Sequence, residues 1–182
     1  MSDEDRLRWD RRYAEHVVVS DEDVGLPAVF RPSAEIFPAT GRALDVACGR
    51  GGAAVWLAQR GLDVLGCDVS RVAIMQARRL AELGGVADRC HFEIVDLDDG
   101  LPAGPLVDVL LCNRFRDGRL DGSIVERLAA GGLLAISALS EVGGTTGPFR
   151  VKAGELRLAF EGLELVAARE ANGDAWLLAR RR

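Results

Sequence analysis

The stretch Ala43-Leu44-Asp45-Val46-Ala47-Cys48-Gly49-Arg50-Gly51-Gly52 decides the fold, because a short apolar run ends abruptly in a glycine-rich turn. A helix-like segment, residues 53–60, follows the turn directly. Strand, tight loop and helix in this order form a nucleotide-binding unit of α/β proteins, in which glycines let backbone amides approach a ligand at the helix N-terminus. We expect the other elements to support this loop.

Composition limits the class of protein to which the loop can belong. The 182 residues are 48% hydrophobic and 28% charged, which is typical of a single globular domain. The formal net charge of −5 argues against a nucleic-acid partner. No apolar run approaches the roughly 18 residues of a membrane span. The acidic start, residues 1–5, is unlike a secretory signal, so we predict a cytoplasmic protein.

The cysteines and histidines give no sign of a metal centre. The four cysteines lie in or beside strand-like runs without C-x-x-C spacing: Cys48, Cys67, Cys90 and Cys112. We interpret them as buried thiols in a reducing compartment rather than as disulfide or zinc ligands. His16 and His91 are far apart in sequence, so we predict neither a catalytic triad nor a metal site.

A second strand, residues 63–67, ends on Asp68. Gly49 and Asp68 are 19 residues apart, close to the spacing at which a strand-end carboxylate meets a ribose hydroxyl in doubly wound folds. Asp68 could instead cap a turn, but its position favours ribose binding. Ser70 is a natural N-cap for a helix over residues 71–83.

Two further strands end in polar residues. The third, residues 90–96, ends on Asp96, which we take as the better ligand candidate in an otherwise solvated acidic cluster. The fourth, residues 106–112, is apolar enough to be buried on both faces and is followed by Asn113 and Arg114. Ligands of open α/β sheets gather at this carboxyl edge.

The C-terminal third predicts a helix over 121–130 closed by Gly131-Gly132, then a fifth strand over 133–139. A helix over 154–161 precedes two strands, 163–168 and 174–180. Asn172-Gly173 between them is a strong hairpin signal, so an antiparallel pair closes the sheet.

The N-terminal residues 5–16 form a predicted amphipathic helix, on which Trp9 and Tyr13 share a face. This face either covers the sheet edge or forms a lid over a bound ligand. Residues 17–40 predict a loop with a short helix near 33–37.

The order of elements resembles the class I methyltransferases that use S-adenosylmethionine, on the strength of the Leu44-to-Gly51 run, Asp68 and Asp96-Leu97. More narrowly, three other segments are similar to the tellurite-resistance-like and thiol-methyltransferase-like branch: Trp9-Asp10-Arg11-Arg12-Tyr13, Ala54-Val55-Trp56-Leu57-Ala58 and Lys152-Ala153-Gly154-Glu155-Leu156. The resemblance implies a Rossmann-like, doubly wound seven-stranded sheet, mostly parallel with an antiparallel C-terminal hairpin strand. It also implies one domain over 1–182, with a helical lid over 1–40 and the core over 41–182, as a monomer or homodimer.

The resemblance also implies which residues bind the cofactor, S-adenosylmethionine. Asp45 and the turn would hold its methionine end, Asp68 its ribose, Asp96 and Leu97 its adenine, and the aromatic pair would close over it. The full implied set is Trp9, Tyr13, Asp45, Ala47, Cys48, Gly49, Gly51, Asp68, Val69, Asp96, Leu97 and Asn113. Three residues depart from the family pattern: Ala47 replaces the first loop glycine, and Arg50 and Gly52 replace other expected residue types.

Methyl transfer from a sulfonium mainly requires alignment and exclusion of water, so no catalytic residue is predicted. The acceptor is expected to be a small molecule, for example a thiol or a metalloid oxyanion, for which a cationic pocket suffices. Arg114 and Arg150 are the candidates for that pocket, and His16 is a possible acid or base.

Two other functions stay open. A nicotinamide-dependent oxidoreductase also uses a glycine loop and a strand-end acid, but residues 49–54 lack glycines at the first, third and sixth positions. A non-catalytic binding module would have a degraded loop or a lost strand-end acid, and both features are intact.

Overall fold

The structure is a computed structural model that describes residues 3–15, 19–147 and 149–182. The chain folds as two compact units, one ending at Gly104 and the other running from Pro105 to Arg182. Within the described ranges, no helix combines the length and the apolar character that crossing a bilayer requires.

The first unit is a parallel three-stranded sheet with its helices. Its elements are α1 (Asp3–Ala14), β1 (Gly41–Val46), α2 (Gly52–Gln59), β2 (Leu62–Asp68), α3 (Arg71–Leu83) and β3 (Cys90–Ile94). The strand order is β3-β2-β1, and both pairings are parallel. Two 3-10 helices, Asp21–Asp23 and Arg31–Ile36, lie in the loop before β1. This loop supplies core side chains, because Leu26, Phe30 and Phe37 are buried.

Local signals in the sequence explain where the central elements of this unit begin. The apolar end of β1 is buried, including Leu44 and Val46. Ser70 caps α3 as predicted, since its hydroxyl accepts the Ala73 N–H at 3.1 Å. Helix α3 therefore spans the predicted residues, and α1 packs against it.

The second unit is a mixed sheet. Its elements are β4 (Val107–Cys112), α4 (Asp121–Arg127), β5 (Leu128–Ser140), β6 (Arg150–Val151), α5 (Glu155–Ala159), β7 (Glu164–Ala171) and β8 (Asp174–Arg180). The order is β4-β5-β8-β7, with the short β6 beside β5. Strands β4, β5 and β6 pair in parallel, whereas β8 is antiparallel to both of its neighbours. The predicted hairpin turn is confirmed, since Asn172 and Gly173 both have positive φ, 56° and 81°.

The predicted helix over 121–130 is wrong at its end. Helix α4 stops at Arg127, and Leu128, which pairs with Val107, already belongs to β5. Gly131 donates its N–H to the Arg181 carbonyl at 2.8 Å, and Gly132 accepts the Arg181 N–H at 3.0 Å. The glycine pair therefore lies inside an irregular strand, because pairing with the distant C-terminal residues outweighs the local helix-end signal.

The predicted fold class is confirmed. Parallel strands that alternate with helices, followed by antiparallel C-terminal strands, define a Rossmann-like α/β fold. The two-residue β6 is an addition to the seven predicted strands.

Candidate functional site

The candidate site is built around the turn that joins β1 to α2. Ala47, Gly49 and Gly51 have φ values of 53°, 53° and 79°, a left-handed conformation that favours glycine. Cys48 donates its N–H to the Cys67 carbonyl at 2.9 Å and accepts the Gly51 N–H at 3.0 Å. The turn is therefore tied to β2 and places the N-terminus of α2 at the carboxyl edge of the first unit's sheet.

Asp68 is buried at the end of β2 and holds the turn in place. One carboxylate oxygen accepts the Gly49 N–H and the other accepts the Ser70 N–H, both at 2.9 Å. Burial raises the pKa of this carboxyl, and these backbone hydrogen bonds oppose the rise. A carboxylate offers about four acceptor sites, so each oxygen can take a further donor. The turn-capping role is thus observed, and ribose binding stays a prediction.

Asp45 lies on β1 with only 1% of its surface exposed. Its carboxyl receives a backbone hydrogen bond from Ala54, but Oδ2 has no hydrogen-bond partner among the described residues. Burial, and then the neighbouring Asp68 carboxylate, raise the pKa of Asp45 to about 8. A buried oxygen without a donor costs free energy, which a bound ligand with N–H groups or positive charge would offset. The site therefore fits a cationic ligand.

We expect Asp45→Asn to change how stability depends on pH. The carboxyl ionises near its ordinary value of 3.8 in the unfolded chain but near 8 in the folded one. Between these values the unfolded state binds fewer protons, so wild-type stability falls as pH rises from about 4 to 8, by at most about 1.4 kcal/mol per pH unit. The variant lacks this contribution. Urea unfolding of wild type and Asp45→Asn at pH 5, 6.5 and 8 measures this difference in stability. The same dependence of stability on pH in both proteins would contradict the raised pKa of Asp45.

Helix α1 carries an aromatic pair and places one member of it, Tyr13, against the turn. Trp9 and Tyr13 stack with ring centroids 5.9 Å apart. The Tyr13 hydroxyl lies 2.8 Å from the position that a Cβ on Gly49 would occupy. Burial, and then the charge of Asp68, raise the pKa of Tyr13, so its hydroxyl stays neutral. Tyr13 thus covers Gly49 of the turn, and contact of the aromatic pair with a cofactor stays a prediction.

Residues 20–25 are a part of the site that the sequence interpretation missed. Arg50 forms two hydrogen bonds with the Asp23 carboxylate, at 3.2 and 3.1 Å. Gly25 donates its N–H to the Gly52 carbonyl at 3.1 Å, and a Cβ on Gly52 would lie 2.3 Å from the Asp23 carbonyl oxygen. Arg50 and Gly52, which depart from the family pattern, thus both contact this segment. The Ser20-x-x-Asp23 spacing, a capping-box pattern, was the available signal.

The predicted adenine residues follow β3. Asp96 accepts the Asp98 N–H at 3.0 Å, and Leu97 is buried. A cavity of about 190 Å³ lies at the ends of β2 and β3. Its lining residues are Arg6, Leu7, Asp10, Val69, Arg71 and Ile94. Val69 of the predicted set therefore lines a cavity next to α1.

The remaining predicted residues belong to the second unit or lie outside the described residues. Asn113 follows β4, where the Ser137 hydroxyl donates to its Oδ1 at 2.7 Å. Arg114 has a φ of 55° and lies 3.4 Å from the Asp174 carboxylate. Arg150 donates to the Ser140 carbonyl at 2.8 Å. His16 lies outside the described residues. Binding roles for these four residues stay predictions.

The thiol of Cys48 does not have the properties of a nucleophile. Burial, and then the neighbouring Asp45 carboxyl, raise its pKa, so that the thiol stays protonated. The turn and its flanking carboxyls can therefore bind and orient a ligand, and covalent catalysis by Cys48 is disfavoured.

Comparisons with known proteins agree with this geometry. Residues 43–125, which include most of β1 and all of the turn, α2, β2 and α3, match a family model described as a methyltransferase domain. No curated protein matches the chain.

Solved structures share the fold across nearly the whole chain. TehB from Haemophilus influenzae superposes with a TM-score of 0.76 at 18% identity, covering 96% of this chain and 67% of TehB. An S-adenosylmethionine-dependent methyltransferase from Mesorhizobium loti superposes with a TM-score of 0.67 at 18% identity, covering 85% of this chain and 98% of that protein. The [4+2]-cyclase SpnF superposes with a TM-score of 0.66 at 20% identity, covering 94% of this chain and 80% of SpnF. The family model thus matches the part of the chain that carries the glycine turn, and the solved structures show that its fold is shared.

Proposed function

We propose that this chain is an S-adenosylmethionine-dependent methyltransferase that moves a methyl group to a small-molecule acceptor. One observation carries the proposal: a buried carboxyl, Asp45, has an oxygen without a donor beside a left-handed glycine turn. The cofactor has a cationic sulfonium and an ammonium group, and both suit that oxygen. The match of residues 43–125 to a methyltransferase domain supports the same reading.

Different residues of the first unit would bind different parts of the cofactor. Asp45 would accept hydrogen bonds from the methionine ammonium, and Asp68 would accept them from the ribose while it keeps Gly49 and Ser70 in place. Trp9 and Tyr13 would exclude water from the turn. When bound, the cofactor supplies an electrophilic methyl group, so alignment is the main requirement.

A thiol or a metalloid oxyanion is our proposal for the acceptor. Such acceptors are nucleophilic as anions, so their methylation does not require a general base. Arg114 is the better of the two candidate cations, because its side chain is 63% exposed and its ion pair with Asp174 is a weak surface contact. Arg150 already donates to the backbone carbonyls of Ser140 and Gly173.

The test combines binding and turnover. Calorimetric titration with S-adenosylmethionine should show saturable binding, and NADH or NADPH should show none. Incubation with methyl-labelled cofactor and a panel of thiols and metalloid oxyanions should then transfer label to a small product, with Asp45→Ala as the inactive control. Preference for a nicotinamide would overturn the proposal. Binding without turnover on any acceptor would favour a non-catalytic module or another reaction, since the same fold also serves a [4+2]-cyclase.

A further inference from the structure

A carboxylate on α1, Asp10, caps the start of α3. Its Oδ1 accepts the Ser70 hydroxyl at 2.6 Å and the Val72 N–H at 3.2 Å. Ser70 is fully buried and is itself the N-cap of α3, so Asp10 adds a second acceptor at a helix terminus that favours negative charge. A residue 60 positions away in sequence therefore completes this cap.

The same helix carries Tyr13, which covers Gly49 of the turn. Tyr13 lies one turn beyond Asp10 on α1, and its backbone carbonyl accepts the Gln76 side-chain amide at 3.1 Å. The Tyr13 hydroxyl lies so close to Gly49 that it would be only 2.8 Å from a Cβ on that residue. Asp10 thus fixes α1 on α3 at the place where α1 also covers the candidate cofactor turn.

We propose that Asp10 is a positioning residue that latches α1 over the turn and so controls entry and exit of the cofactor. Because the Tyr13 side chain occupies the space beside Gly49, a ligand that contacts this part of the turn displaces it, and we infer that α1 moves with it. The hydrogen bonds of Asp10 to Ser70 and Val72 resist that shift. The part of this inference that concerns the cofactor rests on the proposed function, whereas the latch itself does not.

Hydrogen exchange of the cofactor-free protein tests the latch. Asp10→Ala should lower protection of the α1 amides about tenfold or more, because charge-assisted hydrogen bonds are lost. Asp10→Asn retains a side-chain oxygen and should give intermediate protection. Glu4→Ala removes an exposed carboxylate from the first turn of the same helix and should lower protection much less than Asp10→Ala does. Equal protection of α1 in Asp10→Ala and wild type would overturn the inference, whether or not the protein binds S-adenosylmethionine.

Stopped-flow fluorescence then tests control of the cofactor. In a Trp56→Phe, Trp176→Phe background, Trp9 is the only tryptophan and reports on α1. Both the association and the dissociation rate constants for S-adenosylmethionine should rise about tenfold in Asp10→Ala, with a smaller change in Kd. Unchanged rate constants would refute control of cofactor exchange, and a wild type that does not bind would instead refute the proposed function.

Discussion

Asp68→Ala is expected to weaken S-adenosylmethionine binding by at least tenfold and to have the largest effect of any single side chain in the site. A hydrogen bond to a charged group contributes about 1.5 to 3 kcal/mol, which is about tenfold to a hundredfold in Kd. The substitution removes the acceptor for the Gly49 and Ser70 N–H groups as well as the proposed ribose ligand. Calorimetric titration of both proteins measures the change, and thermal unfolding shows whether the variant is folded.

A 2′-deoxy analogue of S-adenosylhomocysteine separates the two roles of Asp68. If Asp68 binds the ribose, removal of the hydroxyl weakens binding to wild type but not to the variant, because the partner is already lost. If Asp68 only holds the turn, the hydroxyl contributes equally in both proteins. Equal contributions would leave the turn-capping role and end the ribose assignment.

Gly51→Ala is expected to lower the free energy of unfolding by about 2 to 5 kcal/mol, from two separate costs. The first is a φ of 79°, which is unfavourable for a residue with a Cβ. The second is crowding, since the new Cβ would lie 2.7 Å from the Ala77 Cβ and 3.1 Å from the Ala77 Cα on α3. Because backbone cannot move as easily as a flexible side chain, the contact between α2 and α3 would have to open. Urea unfolding measures the loss.

Gly85→Ala is the matched control for the backbone cost. Gly85 has a φ of 68°, and a Cβ there would meet no atom within 4 Å. We therefore expect a loss of only about 1 to 2 kcal/mol. Equal losses for Gly51→Ala and Gly85→Ala would show that crowding against Ala77 contributes nothing.

Most of the fold could be predicted because its signals are local. The glycine turn after β1, the cap at Ser70 and the Asn172-Gly173 hairpin each act within a few residues, and each is found where the sequence indicates. The end of α4 and the strand β6 could not be predicted in the same way. Both depend on pairing between distant segments, namely Leu128 with Val107 and Ser140 with Val151. The spacing of these residues along the chain does not indicate that they pair.

In the candidate site, too, some contacts could be predicted from the sequence and others could not. The proximity of Gly49 and Asp68 follows from parallel neighbouring strands, so a 19-residue spacing sufficed to predict it. The Arg50 pair with Asp23 joins residues 27 positions apart across the loop before β1 and β1 itself, and could not be predicted from periodicity. The Tyr13 hydroxyl above Gly49 was predicted only as far as a shared helix face, because packing decides which neighbour such a face meets.

The loop before β1 contributes buried side chains, and this limits where the chain can be truncated or joined to another protein. Phe30 and Phe37 are almost wholly shielded from solvent, and Arg60 donates to the Phe37 carbonyl at 2.8 Å. A shortened chain that starts at residue 41 would leave the surface beneath these rings bare and prone to aggregation. A reporter or affinity handle is better joined ahead of α1 than at the first strand, because α1 and Asp23 also contact the turn.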